Sequence, residues 1–283
     1  MFTQSGTMAS SDSCDGMSAG APVRAITGDE IEHFRRCGWV KLEQFYAPWV
    51  VERLLARAQA KMGDTPQTVC RENPDVLIAD EYNWYSRWDG CSRSDGWIRS
   101  VSHSPAMAHA AAQLMEGPVR FYFDHFFVKL PATMSGGPTP WHQDLPHHPV
   151  DRQGVLTFWS PLVDCPSEMG TMRYLEGSHR AGLFGRYLNR RDGITLVDEN
   201  PSVLERFPIS DPVDLKPGDA TVHDLMIIHF APANTTATPR WVYSNQWLPA
   251  EARYTGASNH RTDGLGMAID QPFEHEFFPL LIG

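Results

Sequence analysis

The chain changes texture once, at Gly117-Pro118, and that change restricts its fold more than any other feature. Before it, apolar residues recur at helical spacing. Thr27 and Glu30 have capping-box spacing, Ile31, Phe34 and Arg35 continue a helical pattern, and Gly38 stops it. Trp39-Val40-Lys41-Leu42 then reads as a short strand. A second helix is expected from about Ala47 to Met62, with Pro48 in its first turn and Val51, Leu54, Leu55 and Ala58 on one face. A third is expected around Ser104 to Glu116. After Pro118 the segments Val119 to Leu130, Val155 to Val163, Thr171 to Glu176, Asp219 to Ile228 and Trp241 to Leu248 are rich in aromatic and β-branched residues. Clusters of Gly, Pro, Asn and Asp separate them. Helices first and strands later predict an α+β domain with a mainly β core, a sandwich or barrel. Residues 180–215, with many Arg, Asp and Gly, read as an insertion or long connection.

A length of 283 residues suits one large domain, expected over 23–283 behind a small, polar, Gly/Ser-rich tail at 1–22 that reads as disordered. The net charge of −10 argues against generic nucleic-acid or anionic-membrane partners. No stretch of 18 apolar residues predicts a membrane span, and the first residues lack the basic start and apolar core of a signal peptide. Five scattered cysteines without a C-x-x-C pair fit thiols in a reducing cytosol, hence a cytoplasmic location. A monomer or weak homodimer is expected.

Chemistry concentrates at Trp141-His142-Gln143-Asp144, answered downstream by His229 and Arg240. In extended backbone, residues i and i+2 point to one side, so His142 and Asp144 can converge on one ion while Gln143 faces away. A second imidazole from a distant segment completes a 2-His-1-carboxylate facial triad, which leaves the opposite face of an octahedral metal open. Alone, an H-x-D between Pro140 and Pro146 is equally a surface turn, and a His at the end of an apolar strand is equally a satisfied core residue. His223 competes with His229 for the third position, since the two share strand parity and periodicity does not separate them. Arg240 is either a solvated strand-edge residue or a buried fork for the distal end of a dicarboxylate.

The ordered set of motifs resembles the phytanoyl-CoA dioxygenase family of Fe(II)/2-oxoglutarate-dependent oxygenases. The blocks that carry it are Trp141 to Asp144, Phe158 to Asp164, Gly170 to Arg180, Lys216 to Asp219 and His229 to Arg240, about half the chain. The resemblance implies a double-stranded β-helix, a cupin-like jelly roll with N-terminal flanking helices and the metal at its open mouth. It implies that His142, Asp144 and His229 hold Fe(II), that Arg240 pairs with the distal carboxylate of 2-oxoglutarate, and that Trp159 and Lys129 belong to the cosubstrate pocket. It makes the Gly-Ser-His-Arg block a structural turn, with His179 not a ligand. The chain departs from the family in the six-residue gap between His223 and His229, which a bulge on one strand would absorb. Retention of Asp144 favours oxygen transfer or desaturation over halogenation.

The implied reaction consumes O2 and 2-oxoglutarate, releases succinate and CO2, and hydroxylates or otherwise oxidises an unactivated C–H bond of a small metabolite or natural-product intermediate. The aromatic run around Trp84, Arg87 and Trp88, followed by Trp97 and Arg99, is a candidate wall for an apolar or ring-bearing substrate, with Arg87 or Arg99 holding an anionic group. A packing layer between helix and sheet is the other reading of the same residues. His147, with His148 beside it, lies at the mouth or on a surface loop. Two other functions use the same frame: a cupin-like metal-dependent isomerase or hydrolase, which needs no Arg240, and a non-catalytic binding barrel, which needs no intact triad.

Overall fold

The computed structural model describes residues 20–64, the backbone of 70–71, and residues 86–134, 136–186 and 192–282. The expected tail therefore lies almost wholly outside the described residues, as does Trp84.

Helix α1 (Gly28–Cys37) opens on the capping box: the Glu30 amide donates to Thr27 Oγ1 at 3.3 Å, and the Thr27 amide donates to Glu30 Oε2 at 2.8 Å. It ends at Gly38, whose φ of 82° is left-handed and whose missing side chain leaves room for the His179 ring. Strand β1 (Trp39–Leu42) follows, then α2 (Pro48–Met62), which buries Val50, Val51, Leu54 and Ala58. A short strand β2 (Cys70–Arg71) and β3 (Ser86–Asp89) lead to α3 (Cys91–Ser94), α4 (Gly96–Ser102) and α5 (Pro105–Met115). The helices α3 and α4 were not anticipated; Asp95 caps α4 through its carboxylate at Trp97 and Ile98.

The β half begins with β4 (Val119–Lys129) and continues through β5 (Thr139–His142), β6 (Leu156–Pro161), β7 (Arg173–Tyr174), β8 (Ala220–Asp224), β9 (His229–Ala231), β10 (Arg240–Pro249) and β11 (Leu280–Ile282). One sheet runs β1-β8-β6-β10-β4-β3-β2, with β11 also on β4; a second runs β5-β9-β7. Apart from the parallel β2-β3 pair, the pairings are antiparallel. Within residues 180–215 the chain forms two one-turn helices, α6 (Leu196–Glu199) and α7 (Val203–Arg206).

The larger sheet has two unlike faces, and strand periodicity sorts them. Trp241, Tyr243 and Trp247 of β10, Phe126 and Val128 of β4, Phe158 of β6 and Val222 of β8 join the helices in the main core. Leu54 sits there fully buried, so Leu54→Ala is expected to cost about 2–5 kcal/mol. The alternate residues point into the sandwich. They are polar at mid-height, where His125, Thr157, His223, Arg240, Ser244 and Gln246 border one cavity. Apolar clusters around Phe273 and Tyr122, and around Tyr174 and Val242, occupy other parts of the interior.

The expected strand over Asp219 to Ile228 is only half formed. β8 ends at Asp224, and Leu225 to Ile228 make a turn that carries the chain to the second sheet, where His229 opens β9. Asp224 holds the turn: its carboxylate accepts from the Met226 amide at 2.7 Å and its carbonyl from Ile227 at 3.0 Å. The six-residue gap between the histidines is thus a change of sheet, not a bulge within one strand.

Candidate active site

His142 ends β5 directly opposite His229 of β9, with ring centroids 4.2 Å apart. Asp144 does not continue the strand. Its φ of −79° and ψ of −37° are right-handed, and the amides of Asp144 and Leu145 both donate to the Leu225 carbonyl at 3.0 Å. The pair therefore converges through a turn and not through the strand alternation expected from H-x-D. Gln143 does face away, donating to the Met226 carbonyl at 2.7 Å.

The turn sets Asp144 Oδ1 3.3 Å from His142 Nε2 and Oδ2 3.9 Å from His229 Nε2. One ligand atom from each of these residues lies within 4.8 Å of the others. Both histidines are oriented from behind: His142 Nδ1 lies 2.7 Å from the Pro140 carbonyl and His229 Nδ1 3.1 Å from that of Ile227. A carbonyl only accepts, so each Nδ1 carries the proton and each Nε2 turns a lone pair inward.

This arrangement is short of positive charge. Burial, then the neighbouring His142, pushes His229 down to about 3, so it is neutral at physiological pH. Burial opposes the Asp144 charge, but the imidazoles that face it, His229 foremost, outweigh it and hold the carboxyl well below the usual range. Lone pairs and a carboxylate facing one point fit a divalent cation with imidazole and oxygen ligands.

His223, the alternative third ligand, does not join that set. It lies on β8 in the other sheet, 1% exposed, with Nε2 3.5 Å from Asp144 Oδ2. Neither ring nitrogen makes a hydrogen bond among the described residues.

On one side of the triad stand a buried arginine and a buried lysine. Arg240 begins β10 and is the register partner of Lys129, the last residue of β4. Arg240 is 1% exposed, donates to the Gly170 carbonyl, and lies 5.0 Å from the Trp159 ring and 5.7 Å from Phe127. Lys129 is fully buried and donates to the Pro232 carbonyl at 2.7 Å; burial first, and Arg240 second, push it down to about 6. Gly170 is required here: its φ is 82°, and a Cβ would stand 2.4 Å from the Pro232 oxygen.

A cavity of about 460 Å³ is bordered by the triad, His223, Trp159 and Arg240. Arg87 and His147 line it, and Arg186 Nε donates to His147 Nδ1 at 3.1 Å. Trp88 does not. It is next to Arg87 on β3 and so has opposite parity, packing in the main core against Phe126 at 5.5 Å. Arg99 is also turned away, donating to the carbonyls of Ser92 and Arg93. His179 sits in a one-turn helix against Gly38 and does not line the cavity. Residues not anticipated as part of the site are His125, Gln246, His260 and Arg261. His125 and Gln246 were detectable as polar residues at inward positions of β4 and β10; the loop bearing His260 and Arg261 has no periodicity to read.

Fold and site together define a class: jelly rolls that hold one metal in a 2-His-1-carboxylate site. The chain belongs to the phytanoyl-CoA dioxygenase family, whose model matches residues 34–242. It is 27% identical over 175 residues to the L-proline trans-4-hydroxylase of Streptomyces griseoviridis, a match that covers 59% of each chain. It thus spans about three fifths of that relative. Among solved structures it resembles the carbocyclase SnoK from nogalamycin biosynthesis, with a TM-score of 0.74 and 23% identity over 93% of this chain and 99% of that one. The epimerase SnoN, solved with Fe3+, alpha ketoglutarate and nogalamycin RO, gives a TM-score of 0.68 and 22% identity over 89% and 97%. At those identities the likeness establishes the jelly-roll fold. Among the described residues no helix is long and apolar enough to cross a membrane.

Proposed function

We propose that this chain hydroxylates, or otherwise oxidises, an unactivated C–H bond of a small organic molecule, using O2 and 2-oxoglutarate and releasing succinate and CO2. One observation carries the reading: a charge-deficient His-Asp-His site shares a cavity with the buried Arg240, whose register partner on the next strand is Lys129. In this reading His142, Asp144 and His229 hold Fe(II). Bound iron and cosubstrate together supply the activation of O2.

The protein's own groups position and exclude. The carbonyls behind His142 and His229 fix the tautomer in which Nε2 faces the metal. Arg240 offers a guanidinium fork to the distal carboxylate of 2-oxoglutarate, and Lys129 adds a second donor beside it. Trp159 and Phe127 cover the Arg240 charge and keep water from it, which strengthens its hold on an anion. No side chain has to serve as general acid or base; the work is orientation inside a dry pocket. An isomerase or hydrolase using the same triad has no evident need for a buried arginine and lysine beside it.

The test is decarboxylation of labelled 2-oxoglutarate, followed together with O2 uptake. Wild-type protein with Fe(II) should consume both, slowly and without added substrate, and Asp144→Ala should consume neither. Turnover that persists in Asp144→Ala, or that proceeds without O2, would count against the reading.

A further inference from the structure

Beyond the triad, away from Arg240, the cavity opens into a second polar lobe built around Arg261. Arg261 is 8% exposed, and its guanidinium lies over the Phe123 ring at 4.2 Å and near Tyr122 at 5.5 Å. Nη1 donates to Gln246 Oε1 at 2.8 Å and to His148 Nδ1 at 2.8 Å. Gln246 is fixed in turn by its own donation to Thr157 Oγ1 at 3.1 Å. The Nε–Nη2 edge is different. Nε is buried without a hydrogen-bond partner, and no carboxylate of the described residues pairs with this guanidinium.

The charges around it do not balance. Asp89 is the buried acid of this region, and it lies 3.6 Å from His125 Nδ1 and 3.9 Å from His260 Nε2. Burial pushes both of those histidines down to about 3, so neither is charged. Arg87 and Arg261 against Asp89 leave one positive charge in excess on this side of the cavity, since Arg93 behind Phe123 is set against the buried Asp124 and Asp144 is counted with the metal it would hold. At the rim Arg186 and Asp263 offset each other, Asp263 being held by Ser258 and the Asn259 amide. A buried guanidinium fixed along one edge and unpaired along the other matches the planar geometry of a carboxylate. The neutral imidazoles beside it present both donors and acceptors, which suits an oxygenated molecule and not a hydrocarbon.

We propose that the substrate carries a carboxylate, seated on the Arg261 guanidinium where it lines the cavity, so that the oxidised carbon lies between that anchor and the metal. The inference rests on the oxygenase reading of the same cavity. It replaces the aromatic wall expected around Trp88 with a polar one. A single excess charge fits a carboxylate better than the higher charge of a phosphate monoester.

The probes are matched sets on one ring: benzoate, benzamide and phenyl phosphate, and cyclohexanecarboxylate, its amide and cyclohexyl phosphate. Binding is measured by ligand-observed NMR on Zn(II)-loaded protein with 2-oxoglutarate saturating, so that Arg240 is already occupied. The acid of each set should bind about ten- to a hundredfold tighter than its amide, as expected for a charge-assisted pair. Arg261→Gln should collapse that preference. So should Gln246→Glu, which is nearly isosteric and gives the guanidinium a carboxylate of the protein's own; it keeps the test valid if Arg261→Gln melts early. Equal binding of acid and amide, a phosphate preferred to the acid, a preference that survives in Arg261→Gln, or no binding of any probe at millimolar concentration overturns the proposal. Failure of the parent reading shows separately, as no 2-oxoglutarate-dependent absorption band on the anaerobic Fe(II) protein.

Discussion

Replacing Arg240 by Met tests the cosubstrate pocket most sharply when the ligand is varied too. The two ligands are 2-oxoglutarate and 2-oxobutyrate, which keeps the keto-acid end but lacks the distal carboxylate. Truncating one partner of a buried hydrogen-bonded charge pair costs about 2–5 kcal/mol. Two features of the site place the expectation at the lower end. Lys129 remains beside the lost guanidinium, so the carboxylate is not left alone. Arg240 is also one of the two causes that depress Lys129, so its removal lets the lysine hold its proton more readily. A loss of about 2–3 kcal/mol is therefore expected, or about 30- to 150-fold in the preference for 2-oxoglutarate over 2-oxobutyrate. The assay is anaerobic titration of Fe(II)-loaded protein with each keto acid, wild type beside Arg240→Met. Both dissociation constants come from the same folded protein, so general destabilisation from losing the Gly170 contact cancels in the ratio. An unchanged ratio would refute the placement of the distal carboxylate at Arg240.

Three further outcomes follow from the same geometry. Lys129 stands at about 6 in the free protein, and a bound dianion raises it; 2-oxoglutarate should therefore take up a proton on binding at about pH 8 and bind more weakly as pH rises. Calorimetry in buffers of different ionisation enthalpy measures that uptake, which Lys129→Met should abolish. Gly170→Ala combines left-handed strain of about 1–2 kcal/mol with a Cβ pressed on the Pro232 oxygen. Because Gly170 and Pro232 supply the carbonyls that hold Arg240 and Lys129, it should lower the melting temperature and weaken 2-oxoglutarate together. Leu54→Ala is the contrasting case: it should lower the denaturant midpoint while leaving the 2-oxoglutarate dissociation constant unchanged, since Leu54 packs on the opposite face of the sheet from the cavity.

What could be read in the sequence was mostly local. The capping box at Thr27, the stop at Gly38 and the apolar stripe of α2 depend on residues within one or two turns, and their elements lie where expected. The long strands β4 and β10 were legible because alternation persists over ten residues or more. The run from Leu225 to Ile228 misled because burial and strand are different things. Leu225 and Met226 join one apolar cluster, Ile227 a second and Ile228 a third, so a turn whose side chains are all buried spells the same apolar word as a strand.

The site shows the same division. Motif order brought out His142, Asp144, His229 and Arg240, although the convergence of the first two comes from a turn at Asp144. Arg87 and Trp88 were indistinguishable until strand parity was known, because either face of β3 would have suited either residue. Arg261 left no local trace. Its part in the cavity depends on Gln246 and His148, 15 and 113 positions away, which only the closed sandwich brings to it.

The most direct measurement is the visible charge-transfer absorption of the anaerobic Fe(II) protein as 2-oxoglutarate is added. Chelation of the metal by 2-oxoglutarate needs the triad and the open metal face at once, and it is strengthened by Arg240 and Lys129. The account predicts a band that saturates with 2-oxoglutarate in the wild type and is absent in His229→Ala. A protein that binds iron yet shows no band, or a band that His229→Ala leaves intact, contradicts it.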